Sequence, residues 1–247
     1  MRDYRLETQL RIGFIRDALM AAKTDGVVYG NSGGKDCALV GILCKAACVN
    51  TLGLIMPCGS KRNYESDKTD AENLAAQFGI ETRIVDLTTV KEQFVDAVVA
   101  GDSDEAKSLG AAALANIAPR LRMTALYTVA ANENRLVAGT GNRSERHMGY
   151  FTKWGDGACD FNPIADLTVT EVYEFLRFLG APENIIAKAP SAGLFEGQTD
   201  EAEMGVTYRS IDSLLLSGTT NERDAEIISR FHNSSGHKRK MPLMYGV

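Results

Sequence analysis

The chain has 247 residues, 45% hydrophobic and 24% charged, enough for a full α/β core within one domain. Its 27 basic and 32 acidic side chains leave a net charge of −5, which argues against broad nucleic-acid binding. No apolar run approaches the roughly 18–20 residues that span a bilayer, and charges from Met1 to Glu7 stand where a signal peptide needs an apolar core, so a cytoplasmic protein without a membrane partner is expected.

A helical pattern over 3–23 leads into an apolar strand candidate at 26–30. The loop Gly30-Asn31-Ser32-Gly33-Gly34-Lys35-Asp36-Cys37 then opens a second helical pattern over 36–49. Small residues at a helix start present backbone N–H groups and the positive end of the helix dipole to an anion, which predicts a polyphosphate ligand. The loop is not a Walker A motif, because Tyr29 stands where its first glycine belongs and Asp36 where its hydroxyl belongs. Nor does it fit G-x-G-x-x-G, since Gly30 and Gly33 are three apart. What remains is S-G-G-x-D, with a carboxylate at the mouth of a phosphate cradle. An acid beside phosphates is repulsive unless a divalent cation sits between them, so Asp36 implies magnesium. The plainer alternative is a tight strand–helix turn with Asp36 as a helix-start acid.

Cys37, Cys44 and Cys48 fall on one face of the helix after the loop. Cys44 and Cys48 read as small buried hydrophobes: no C-x-x-C occurs and none of the three histidines lies near at ligand spacing, so zinc is not expected. The five cysteines suit a reducing compartment.

Further strand candidates at 51–56, 82–87 and 135–140 alternate with helical patterns at 66–78, 88–99 and 119–133, followed by helices at 168–179 and 222–232. Continuous apolar runs predict strands covered on both faces, hence an α/β fold with a doubly wound parallel sheet flanked by helices. Pro119 suits a first helical position, and Thr168 with Glu171 forms a capping box. Segments 57–66 and 189–205 read as irregular, and ligands are expected at the carboxyl ends of the strands. No repeat or linker interrupts residues 1–247, which read as a single domain.

Residues 139–163 form a second dense block, in which charges are interleaved with glycine and aromatics and no periodicity holds. So long an irregular stretch usually carries function. Glu145, Asp156 and Asp160 could bind a cation or activate a nucleophile, and Lys153 could neutralise a phosphate. Each acid taken alone also reads as a loop-capping or surface residue.

These residues match a family. Together with the Ser-Gly-Gly loop, the segments Asn116–Arg122, Phe151–Asp160, Ala189–Leu194, Asp200–Tyr208 with Ile211-Asp212, and His237–Arg239 resemble the ammonia-dependent NAD synthetases of the N-type ATP pyrophosphatase group. The resemblance runs in order from residue 26 to 240 and implies an adenine-nucleotide α-hydrolase-like fold and a homodimer, with the apolar helices at about 106–133 as a plausible interface. It also implies the reaction. The nicotinate carboxylate of deamido-NAD attacks the α-phosphorus of ATP and releases pyrophosphate; ammonia then attacks the acyl-adenylate, giving NAD and AMP.

By the same resemblance the loop from Gly30 to Cys37, Thr140 and Ser191 contact ATP, while Asp36 and Glu145 hold Mg2+. Arg120, Lys153, Asp160, His237 and Lys238 correspond to deamido-NAD contacts, in place of reading the basic tract as a solvated tail. Asp156 is the candidate acceptor of a proton from ammonium. Cys37 departs from the family's serine, Val169 from an ATP-binding lysine, and Arg143 lies in a divergent stretch without an assigned role. About 25 residues precede the first strand, too few for a glutaminase domain, so free ammonia is the expected donor unless a separate partner supplies it. Competing readings are RNA thiolation through Cys37, Cys58 or Cys159, disfavoured by the acidic balance, and a non-catalytic nucleotide sensor, which would not need the block from Lys153 to Asp160.

Overall fold

The computed structural model describes residues 2–59, 66–100, 109–188 and 199–246. At its centre lie four parallel strands, Gly26–Gly30 (β1), Thr51–Ile55 (β2), Glu81–Ile84 (β3) and Arg135–Ala138 (β4), in the order β3-β2-β1-β4. Val28 of β1 is in register with Leu52 on one side and Val137 on the other. Both β1 and β2 are buried almost throughout, as strands covered on two faces must be. The expected strand at 82–87 differs. β3 is an edge strand, largely exposed, whose Glu81 and Arg83 suit an unpaired border. Past its end, Val85 and Leu87 still donate backbone hydrogen bonds to the carbonyls of Ile55 and Pro57.

Helices Tyr4–Ala22 (α1), Lys35–Ala47 (α2) and Lys68–Phe78 (α3) alternate with the strands, and Thr88–Ala100 (α4), Ala111–Ala115 (α5) and Ile117–Asn132 (α6) lead into β4. Beyond it come Arg143–Met148 (α7), Val169–Phe178 (α8), Glu183–Ile186 (α9), Asp200–Met204 (α10), Tyr208–Ser217 (α11), Glu222–Ser234 (α12) and a 3-10 turn at Gly236–Arg239. Alternation along β1 divides the core. Val27 and Tyr29 pack with Ile15, Leu39, Leu43 and Phe175 from α1, α2 and α8. Val28 packs with Leu52, Leu54, Val137 and α6 on the opposite face.

Three segments are more regular than expected. The block at 139–163 contains α7, which starts on the capping box of Asn142 and Glu145 and stops at Gly149 with φ of 66°. Residues 200–204 of the second irregular segment form α10, ended by Gly205, whereas 189–198 and 60–65 lie outside the described residues. Helix α11, capped by Thr207, buries Tyr208 and Ile211 in a third cluster with Met148, Val169 and Ile228.

Candidate active site

β1 lies between β2 and β4, so the direction of the crossovers reverses at β1, and this is where an open α/β sheet leaves a crevice. A cleft of about 700 Å³ occupies that place. Its wall takes Gly30, Asn31, Ser32, Gly34, Lys35, Asp36 and Cys37 from the loop after β1, and Thr140 and Glu145 from beyond β4.

The loop is shaped by its small residues. Gly33 has φ of 71°, and a Cβ there would collide with the carbonyl of Asp67. Gly34 caps α2 with no side-chain hydrogen bond, which leaves first-turn N–H groups for a ligand. Asn31 is buried; its amide donates to Ala71 O at 3.1 Å and its oxygen accepts from Gly33 N at 3.4 Å. The departing residue, Cys37, packs inward, with Sγ 3.1 Å from the Gly34 carbonyl and 3.3 Å from Ser32 Oγ. Burial pushes its thiol pKa up, so it stays protonated and donates within the loop.

Asp36 and Glu145, far apart in sequence, meet around two residues. Asn142 donates through Nδ2 to Asp36 Oδ1 at 3.0 Å and through its backbone N–H to Glu145 Oε2 at 3.1 Å. The ammonium of Lys35 lies 2.5 Å from Asp36 Oδ2 and 3.6 Å from Glu145 Oε1. Burial and the charge of Asp36 raise the Glu145 carboxyl well above the usual carboxylate range. Burial opposes the charge on Lys35, but Asp36 and Glu145 outweigh it and keep the ammonium protonated. Two carboxylates with an open side toward a phosphate cradle fit Mg2+, which takes one or two protein carboxylates and completes its shell with phosphates and water. Among the described residues no larger cluster of His, Cys, Asp or Glu competes for a metal.

Helix α7, which carries Glu145, is fixed from behind. Buried Asp212 of α11 accepts from Ser144 Oγ at 2.5 Å, and its second oxygen accepts from the N–H and hydroxyl of Thr170, both at 2.7 Å.

Asp156 and Lys238 also reach the cleft wall. Asp156 opens onto the cleft and accepts from Thr152 N at 2.9 Å, while crowding by protein on its other sides raises its pKa. Lys238 donates to the carbonyls of Gly149 and Phe151, both at 2.8 Å. The remaining expected dinucleotide contacts lie elsewhere: Arg120, Lys153, Asp160 and His237 are not on this wall. Arg120 reaches the Lys153 carbonyl at 3.4 Å, and exposed Asp160 accepts from Tyr127 OH and from Val137 N. Ser191 lies outside the described residues. Val169 is buried in the third cluster, and Arg143 is spent on the Leu215 carbonyl at 3.1 Å.

Several wall residues carry no role in the sequence reading. Asn142, which is not itself on the wall but holds Asp36 and Glu145 there, also carries none, and its signal was available, because Asn142 and Glu145 have capping-box spacing. Arg122, which donates to the Met56 carbonyl at 3.0 Å, was legible only as the last residue of the Asn116–Arg122 motif, and Lys188, paired with Asp67 and Asp70 at 2.7 Å each, had no local signal that separates it from a surface cation.

The family described as NAD synthase matches residues 7–245. The NH(3)-dependent NAD(+) synthetase of Carboxydothermus hydrogenoformans is 46% identical over 237 residues, which cover 96% of this chain and 95% of that one. The solved NMN synthetase of Francisella tularensis superimposes over all of both chains with a TM-score of 0.92 and 36% identity. The NH3-dependent NAD synthetase of Campylobacter jejuni, solved with nitrate, gives 0.77 at 31% identity over 99% of each chain. With the S-G-G-x-D loop, the paired carboxylates and the crevice between β1 and β4 in place, the chain belongs to the NAD synthase family.

Proposed function

We propose that this protein is an ammonia-dependent NAD synthetase, with residues 1–247 acting as one domain. It amidates deamido-NAD with ammonia at the expense of ATP, giving NAD, AMP and pyrophosphate. The observation that carries this reading is the convergence of Asp36 and Glu145 beside a phosphate loop in one cleft.

The nicotinate carboxylate becomes an acyl donor once AMP is attached to it, so cleavage must fall at the α-phosphorus. Backbone N–H groups from Ser32 to Cys37 hold the departing pyrophosphate, and Thr140 and Ser191 contact ATP. Asp36 and Glu145 hold Mg2+, which when bound offsets the charge that develops on the phosphates. Asp156, whose pKa is raised by crowding, takes a proton from ammonium, since only free ammonia is nucleophilic.

A homodimer suits the outer face. Val90, Phe94 and Val98 stand exposed at helical spacing on α4, which packs on α6. Arg120 of α6 donates to the Lys153 carbonyl and Tyr127, two turns further along α6, donates to Asp160, and a second copy would enclose both pairs to complete the dinucleotide site. Residues 106–108 of the expected interface lie outside the described residues. No helix among the described residues is long and apolar enough to cross a membrane. Burial raises the thiols of Cys37, Cys58 and Cys159, which speaks against persulfide chemistry.

A second reading keeps the chemistry and shortens the acceptor to nicotinate mononucleotide. The full-length match to the Francisella tularensis NMN synthetase favours it. Incubation with Mg2+, ATP, ammonium and either acceptor decides. NAD and AMP in equal amounts from deamido-NAD support the first reading, and a higher kcat/KM with the mononucleotide supports the second. Formation of neither amide, or of ADP in place of AMP, overturns both.

A further inference from the structure

We propose that Lys35 is a tethered counter-ion of the Asp36–Glu145 pair, holding the two carboxylates in position until a divalent cation displaces its ammonium. The inference rests on the reading of these two acids as metal ligands.

Each carboxylate divides its oxygens in the same way. Asp36 gives Oδ1 to the Asn142 amide and Oδ2 to Lys35. Glu145 gives Oε2 to the Asn142 backbone N–H and turns Oε1 toward Lys35. The oxygens that Asn142 leaves over are therefore those that a cation would bind, and the lysine ammonium already faces both. Lys35 is only 7% exposed, and its ammonium lies 5.8 Å from the centre of the Tyr208 ring, so little water competes for it. Two acids brought together at such a place repel one another unless a positive charge lies between them. Lys35 supplies that charge before metal arrives, which keeps α2 and α7 at metal-binding distance.

An ammonium on a flexible four-carbon stem is a replaceable cation. Lys35 is also the residue with which α2 begins, directly after the loop that faces the phosphates. When a divalent ion takes the two oxygens, the ammonium can swing toward the phosphates that accompany it. Free protein should thus bind metal weakly, and metal should load together with a polyphosphate that occupies both the ion and the displaced lysine.

Binding of Mn2+ to nucleotide-free protein, followed by the paramagnetic resonance of the free ion, tests this without any turnover. Lys35→Met should bind Mn2+ about tenfold or more tightly than wild type, because a like charge within contact distance has been removed. Lys35→Arg, which keeps the charge, should remain as weak as wild type. Inorganic pyrophosphate should narrow the gap by tightening wild type more than Lys35→Met. Unchanged or weaker binding by folded Lys35→Met would overturn the proposal, since a merely structural lysine predicts that result. If that variant does not fold, a structure of wild type with Mg2+ and pyrophosphate decides. Lys35 Nζ more than about 4 Å from both carboxylates supports displacement, and Nζ still bridging them overturns it. Absence of Mn2+ binding by wild type and Lys35→Met alike, with pyrophosphate present, removes the metal site and the proposal together. Binding by wild type that Asp36→Asn abolishes, with no gain in Lys35→Met, removes the proposal alone.

Discussion

The side-chain amide of Asn142 donates to Asp36 Oδ1 at 3.0 Å, joining two helix starts that are 106 residues apart in the chain. The same residue caps α7 by accepting from Glu145 N. Asn142→Ala therefore removes a helix cap and a hydrogen bond to a carboxylate at once. We expect a stability loss of about 1–2 kcal/mol from the cap alone, read by denaturant unfolding, and a fall in AMP release. Asn142→Asp keeps the cap but adds a third acid, and should lower Mg2+-dependent turnover while largely sparing the fold. Full activity in both variants would detach Asn142 from the metal site.

Asp36→Asn leaves the size and packing of the residue unchanged and removes its charge. Adenylation, measured as pyrophosphate release, should fall by about 10²–10³-fold, with the circular dichroism spectrum preserved. Near-normal turnover would exclude Asp36 as a metal ligand.

Gly33→Ala places a Cβ against the Asp67 carbonyl in a backbone conformation with positive φ. Strain of this kind costs about 1–3 kcal/mol. ATP binding, followed by calorimetry, should weaken along with stability because the cradle itself must shift. An unaltered Kd for ATP would show that the loop conformation is not what binds phosphate.

Asp156→Asn separates the two half-reactions. Pyrophosphate release should continue, while NAD formation at neutral pH falls by about 10²-fold. The deficit should shrink as pH rises and more of the ammonia is free base. Equal loss in both steps would assign Asp156 to binding and not to proton transfer.

His147 of α7 stacks on His232 of α12 with ring centres 4.2 Å apart. Burial, and next the neighbouring imidazole, push its pKa down to about 4. The unfolded chain, with an ordinary histidine near 6.5, then binds more protons than the folded one between those values, so stability falls as pH drops through that window. His147→Gln should flatten the acid limb of the Tm–pH curve between about 6.5 and 4. An unchanged slope would place the acid sensitivity elsewhere.

The residue order alone determined the parallel α/β architecture, the phosphate loop and the block from Lys153 to Asp160, because these depend on contiguous signals. An apolar run specifies a buried strand, small residues specify a loop that can approach phosphate, and an S-G-G-x-D spacing places an acid at its mouth. Helix α7 was locally encoded too, by the capping pair Asn142 and Glu145 and by Gly149, although a helix of six residues has too few turns to show periodicity. Only tertiary structure decided which acids meet and which basic side chains reach the cleft. Glu145 and Asp156 arrive there beside Asp36 and with Lys238, whereas Arg120, Lys153 and Asp160 remain on the outer surface of one chain. The physical reason is that the cleft forms between the ends of β1 and β4, strands adjacent in space but more than a hundred residues apart in sequence. Their pairing, and not any local pattern, sets Lys35 between two carboxylates.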